Sequence, residues 1–166
     1  MMPANVRPGQ IISLIQISNE LGQSIELMRL ADELRADLVI LLPIIDAGEM
    51  LGLVEKQQDG LALTDFGLRF QKTTRNFNKI RLLKDRLIEI EPFKTSLALV
   101  NQKRNVTTAD IAETLDKNGV RWDPDPEQNE SLVNNLLIPW AILAGILSYD
   151  GKTGKFSTIS NEEFQL

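Results

Sequence analysis

The sequence predicts a mainly α-helical fold with short β-hairpins: a winged helix-turn-helix followed by a second helical, winged-helix-like unit. Three observations carry that expectation. Apolar residues recur at helical spacing along most of the chain. Two short stretches, around Asp59-Gly60 and from Asp150 to Gly154, have the turn chemistry of hairpins. The order helix, turn, long helix, hairpin seen in residues 24–63 returns in the last third with little residue identity.

In "QIISLIQISNEL", Ile11, Leu14, Ile15 and Ile17 or Leu21 share one helical face, and Gly22 is the stop. "SIELMRLADEL" forms a second helix with Ile25, Leu27 or Met28, Ala31 and Leu34 inward. A tight turn at Arg35-Ala36-Asp37 leads to a third helix over about Leu38 to Leu51. After Gly52 the spacing changes to alternation: Val54, Leu61 and Leu63 flank a turn in which Asp59-Gly60 supplies the positive φ angles of a tight hairpin. Thr64 caps a closing helix, "DFGLRFQKT".

In the middle, Phe77, Ile80, Leu83 or Leu87 and Ile90 share a helical face until Pro92 breaks it, and Phe93 to Val100 resumes. The second pass opens on a capping box from Thr107 to Asp110 and ends its first helix at Gly119. It turns through "VRWDPDPEQ", runs a long apolar helix from Asn129 to Leu147, and closes on the hairpin "ILSYDGKTGKFSTI". The expected divisions are a winged-helix unit at 1–74, basic connecting helices at 75–104 and a second winged-helix-like unit at 105–166.

With 43% hydrophobic and 25% charged residues in a chain of 166, a substantial core is within reach of one domain or of two small units. The absence of Cys and His removes thiolate nucleophiles, zinc-binding thiolates, the commonest metal ligand and the usual general base near neutral pH. No catalytic residue, cofactor or metal is therefore expected, and no enzyme. Met1 to Gln10 lacks the charged start and apolar core of a signal peptide. The longest apolar run, Leu136 to Leu147, falls short of the roughly 18 residues of a membrane span and is interrupted by Pro139. A cytoplasmic protein with no direct membrane insertion is expected.

The net charge of -5 is unevenly spread. Residues 1–74 carry 6 basic and 10 acidic side chains, 75–104 carry 8 and 3, and 105–166 carry 4 and 10. The middle segment is a basic island in which Arg75, Lys79, Arg81, Lys84 and Arg86 could meet an anion; its bland alternative is a solvated face paired with Asp85, Glu89 and Glu91.

The third helix sits where a winged helix reads the major groove, yet no cation lies between Arg35 and Lys56. An inward stripe at Leu41, Ile45, Gly48 and Leu51 leaves Val39, Ile40, Leu42, Pro43 and Asp46 pointing away. Such a face suits a protein contact or cover by the rest of the chain, and DNA is not the expected partner. Two further motifs carry little: "GKT" at Gly151 to Thr153 lacks the spacing and following helix of a phosphate loop, and Asp123, Asp125 and Glu127 lack the glycine of a calcium loop, with Gln128 in its place.

The runs "PGQIISLIQ", "LADELRADLVILLPIIDAGEMLGLVE", "GLALTDFGLRF" and "LLIPWAILAGILSYDGKTGKFS" resemble the AAA-associated C-terminal domain appended to ATP-binding subunits of nitrate, sulfonate and taurine type ABC importers. The matching residues are Leu41, Leu42, Pro43, Ala47, Glu49, Leu51 and Gly52, then Leu63, Thr64, Gly67 and Phe70, and finally Tyr149, Asp150, Gly151 and Phe156. The resemblance spans Pro8 to Ser157 and brings no catalytic residues. It implies a regulatory or assembly role beside an ABC transporter ATP-binding domain, in cis on a longer chain or in trans, at the inner face of the membrane. A homodimer through the same face is a second expectation. The alternative class is a winged-helix transcriptional regulator using Lys56, Lys152, Lys155 and the basic island, and a third is a small-molecule sensor with a pocket near Trp122, Trp140 and Tyr149.

Overall fold

Pro8 opens the first helix because its φ is already near the helical value and it has no amide hydrogen to leave unpaired. The computed structural model describes residues 1–22 and 24–159. They divide into a first unit, Val6–Leu82, and a second formed by Met1–Asn5 with the chain from Leu83 onward. The basic stretch 75–104 is thereby shared between the two. The chain is mainly helical, with one small antiparallel sheet of three strands in each unit.

The first unit runs α1 (Pro8–Leu21), β1 (Ile25–Glu26), α2 (Leu27–Leu34), α3 (Leu38–Met50), β2 (Val54–Gln57), β3 (Gly60–Leu63), α4 (Asp65–Lys72) and α5 (Asn76–Arg81). Helix α1 buries Ile11, Leu14 and Ile15 and, in place of Ile17 or Leu21, Ser18. Ile25 and Glu26 are strand rather than the first turn of a helix, because they pair with Leu61 and Gly60. That shift sets the phase of α2, which buries Leu30 and Ala31 and leaves Met28 exposed.

Gly60 is needed for a different reason from the one its Asp-Gly context predicts. It is the first residue of β3, paired with Gln57, so Gln58 and Asp59 form the loop, and its φ is not positive. A Cβ there would lie 1.9 Å from the Ile25 carbonyl oxygen. Glycine is required by the close approach of β1.

Thr64 caps α4 as expected: its hydroxyl accepts from the Gly67 amide at 3.0 Å and donates to the Gly52 carbonyl at 2.6 Å. Gly67 completes the joint, since a Cβ there would stand 2.1 Å from the Leu53 carbonyl oxygen. Phe70, one turn on, is fully buried.

The second unit runs α6 (Lys84–Leu87), α7 (Phe93–Lys103), β4 (Val106–Thr107), α8 (Thr108–Lys117), α9 (Pro126–Leu143), β5 (Ser148–Asp150) and β6 (Lys155–Ser157). The single helix expected from Phe77 to Ile90 is two short ones, and Phe77 is exposed rather than inward. The break falls where the chain passes between units: Ile80 is buried in the first, Leu83 and Leu87 in the second. Helix α9 ends at Leu143 rather than Leu147, because Gly145 takes φ +72° and turns the chain into β5. Trp140, Leu136, Leu137, Val133, Ile111 and Phe156 form the core here.

The two sheets have the same strand order, first–third–second: β1-β3-β2 and β4-β6-β5. The repeated plan also takes in the preceding helices, α1 entered through Arg7-Pro8 and α7 through Glu91-Pro92. Met2 is fully buried in the second unit; its amide donates to the Glu91 carbonyl at 2.9 Å and its carbonyl accepts from Trp122 Nε1 at 2.7 Å.

Candidate protein-contact surface

Helix α2 ends with Arg35 in the left-handed conformation, φ 52°, and the Ala36 amide donates back to the Ala31 carbonyl at 3.1 Å. This Schellman-type closure turns the chain sharply, and α3 starts within three residues. Helix α3 buries Leu41, Ile44, Ile45, Ala47 and Gly48. Gly48 packs closely, its Cβ position only 3.1 Å from a Val54 methyl. With that side fixed inward, Val39 is 82% exposed, Ile40 53% and Leu42 43%. Pro43 is half-buried and Asp46 exposed.

The five predicted surface residues do not form one stripe. At 100° per residue, Val39, Leu42, Pro43 and Asp46 fall within one outward sector, and exposed Met50 extends it. The sequence reading missed Met50, although its position four residues after Asp46 places it there. Ile40 stands about 100° away from Val39. It lines an open cleft of about 480 Å³ with Arg7, Gly9, Gln10 and Ser13 of the α1 start, Leu34 and Ala36 of the turn, and Leu41 and Ile44. Pro43 also removes the amide that would bond the Val39 carbonyl, so a backbone acceptor without its helical donor lies inside the apolar sector.

The acidic side of α3 is paired within the unit. The Lys56 ammonium of β2 pairs with Asp46, and with Glu49 at 3.8 Å. The hydrogen bond to Asp46, aided by the charges of both carboxylates and opposed by slight desolvation, raises the Lys56 pKa above its ordinary value. Asp46 is therefore a tether to the hairpin, and Lys56 is already engaged.

The basic island is not one helical surface. Arg75 precedes α5, Lys79 and Arg81 lie on it, and Lys84 and Arg86 lie on α6 in the second unit. Lys79 is withdrawn: its ammonium donates to the Gln71 carbonyl at 2.9 Å and sits 5.5 Å from the Phe70 ring centroid, and burial lowers its pKa. The Arg81 guanidinium stacks over Phe77 at 4.1 Å. Of the acids expected to pair locally, Glu91 instead receives the Thr95 amide at 2.8 Å and the Thr95 hydroxyl at 2.5 Å.

The remaining candidates serve structure. Gly151 to Gly154 is the β5–β6 loop, closed by the Gly154 amide on the Asp150 carbonyl at 2.8 Å. Asp123 accepts the Asp125 amide at 2.9 Å, and among the described residues no group of three metal-binding side chains occurs. Trp140 is fully buried, Tyr149 lies 4.7 Å from Phe156 and Trp122 is tied to Met2. Among the described residues no helix is long and apolar enough to cross a membrane.

The fold and this surface define a helical module with two copies of one topology and, on the first, an exposed helix face that is largely apolar and carries no cation. The C-terminal AAA-associated domain family model matches residues 28–150, and the chain belongs to that family. The family name associates such domains with AAA ATPases. The match begins inside α2 and ends in β5, so it includes all of α3 and the Thr64–Gly67–Phe70 joint. No curated protein and no solved structure matches the chain.

Proposed function

We propose that the chain is a non-enzymatic regulatory or assembly module of two winged-helix units, acting by protein contact on the ATP-binding subunit of an ABC importer of the nitrate, sulfonate or taurine type, in cis or in trans. One observation carries this reading: α3 shows Val39, Leu42, Pro43 and Met50 to solvent in the place where a groove reader carries cations, and its two acids are held by Lys56. Exposed apolar sectors of this kind mark protein interfaces. Burying them contributes on the order of 25 cal/mol per Å² before the costs of association are subtracted.

The test is capture of such an ATP-binding subunit by the full chain and by a Val39→Lys, Leu42→Lys double variant, across a range of salt. Both side chains are exposed, so the variant should keep its helical circular dichroism. Capture should be lost in the variant and change little with salt in the parent. Undiminished capture by the variant overturns the reading. So does tight, sequence-selective and salt-sensitive binding of a duplex through α3.

A further inference from the structure

Within the proposed reading, we infer that the cleft between the start of α1 and α3 is the anchor pocket for a large apolar side chain presented by an acidic helical segment of the partner. Its apolar lining is Leu34, Ala36, Ile40, Leu41 and Ile44, and its polar lining is Arg7, Gln10 and Ser13. At about 480 Å³ it has the size of a binding cleft. It is open along one side, so it suits a side chain delivered from a surface rather than a small molecule to be enclosed.

Charge selects the kind of segment. Ten Asp and Glu side chains lie within 6–82, and none lines the cleft. The one charged group in the lining is Arg7, exposed and without an ion pair among the described residues. Its backbone amide is taken by Gln10 Oε1 at 2.8 Å, without consuming the guanidinium. At the matching point of the second unit stands Glu91, whose carboxylate is occupied by Thr95. The repeated plan thus leaves an available charge at this point in one unit alone, and that charge is positive. A carboxylate beside the incoming apolar side chain would meet the guanidinium in a fork geometry that lysine does not offer.

The experiment uses the full chain and two labelled helical peptides of about fifteen residues, a length at which isolated helices begin to hold. Both carry Leu at positions i, i+3, i+4 and i+7; one has Glu and the other Lys on its remaining faces. By fluorescence anisotropy the acidic peptide should bind about tenfold more tightly at low salt. Arg7→Glu should reverse that order, and Ile40→Ser, which leaves the charge unchanged, should weaken both by removing apolar lining. Equal binding of the two peptides, absence of binding, or an order unchanged by Arg7→Glu overturns the anchor pocket. If these fail while subunit capture still depends on Val39 and Leu42, the pocket falls and the contact face stands. If that dependence fails, the proposed function falls.

Discussion

Helices α8 and α2 hold the same place in the two units, and their ends are closed differently. Helix α8 is closed at both ends. Thr107 and Asp110 exchange bonds at 3.0 and 3.2 Å, and Gly119 takes the left-handed turn, φ +78°, without strain. Buried Asn129 accepts the Trp122 amide at 2.7 Å and the Asp123 amide at 3.3 Å, and Asn134 accepts from Thr108 at 2.8 Å. Helix α2, with the same place in the plan, has Glu26 at its N-cap with no side-chain bond, and a β-carbon-bearing Arg35 in the left-handed turn. Of the large apolar side chains exposed among the described residues, Met28, Leu38, Val39, Ile40, Leu42, Met50, Leu68 and Phe77 belong to the first unit, against Met1, Ile142 and Leu143 in the second. The two copies of one plan thus differ in how much apolar surface they leave exposed.

The comparison can be broken most forcefully at Gly67. Gly67→Ala drives a methyl into the Leu53 carbonyl and should destabilise by about 3 kcal/mol. Both tryptophans lie in the second unit, so chemical denaturation followed by circular dichroism should shift more than denaturation followed by Trp emission. Coincident shifts would make the units one cooperative body and remove the ground for contrasting them.

Asn129→Ala attacks the second unit where it is most self-satisfied. It leaves two backbone amides without their acceptor and should cost about 2 kcal/mol, read first in the Trp transition. Swapping the left-handed residues is a milder probe. Gly119→Ala has open space around the new methyl, so only backbone strain of about 1 kcal/mol is expected. Arg35→Gly should stabilise by about 0.5 kcal/mol, since it relieves the same strain at a small cost in unfolded-chain entropy. Opposite signs in thermal melts are the signature, and a loss of stability in Arg35→Gly would refute it.

The smallest effects are electrostatic and lie at opposite ends of the pH scale. Asp110 titrates below its ordinary 3.8, chiefly through the bond from the Thr107 amide. Its support is present above that value and is lost as pH falls through the depressed pKa. Lys56 titrates above its ordinary 10.5, so its support is full below that value and is lost as pH rises through the raised pKa. Both groups are largely exposed, so solvent screening keeps each contribution small. Asp110→Asn should flatten the acid limb of stability against pH, and Lys56→Met the alkaline limb.

Much of this was legible in the chain. Helix α3 and its inward residues Leu41, Ile45, Gly48 and Leu51 follow from spacing alone, as do the Thr64 cap and the Thr107–Asp110 box, because each is a local pattern with one satisfactory outcome. That Val39, Ile40 and Leu42 point away from this stripe follows too, but that no other part of the described chain covers them is decided by the fold. What spacing could not give is which surface each outward residue joins. Ile40 faces a cleft whose far wall is α1, about thirty residues earlier, and Asp46 is held by a lysine on the hairpin.

The sequence by itself determined that the chain is helical, lacks Cys and His and carries a third helix without a cation, since these rest on composition and on neighbours a few residues apart. Only tertiary structure decided that Gly60 and Gly67 are needed for backbone approach, that Lys79 is withdrawn, and that Arg7 stands over an apolar cleft with no carboxylate in its lining. Each of those depends on a segment distant in sequence arriving at close range, where a missing methyl group or an unanswered charge acquires its meaning.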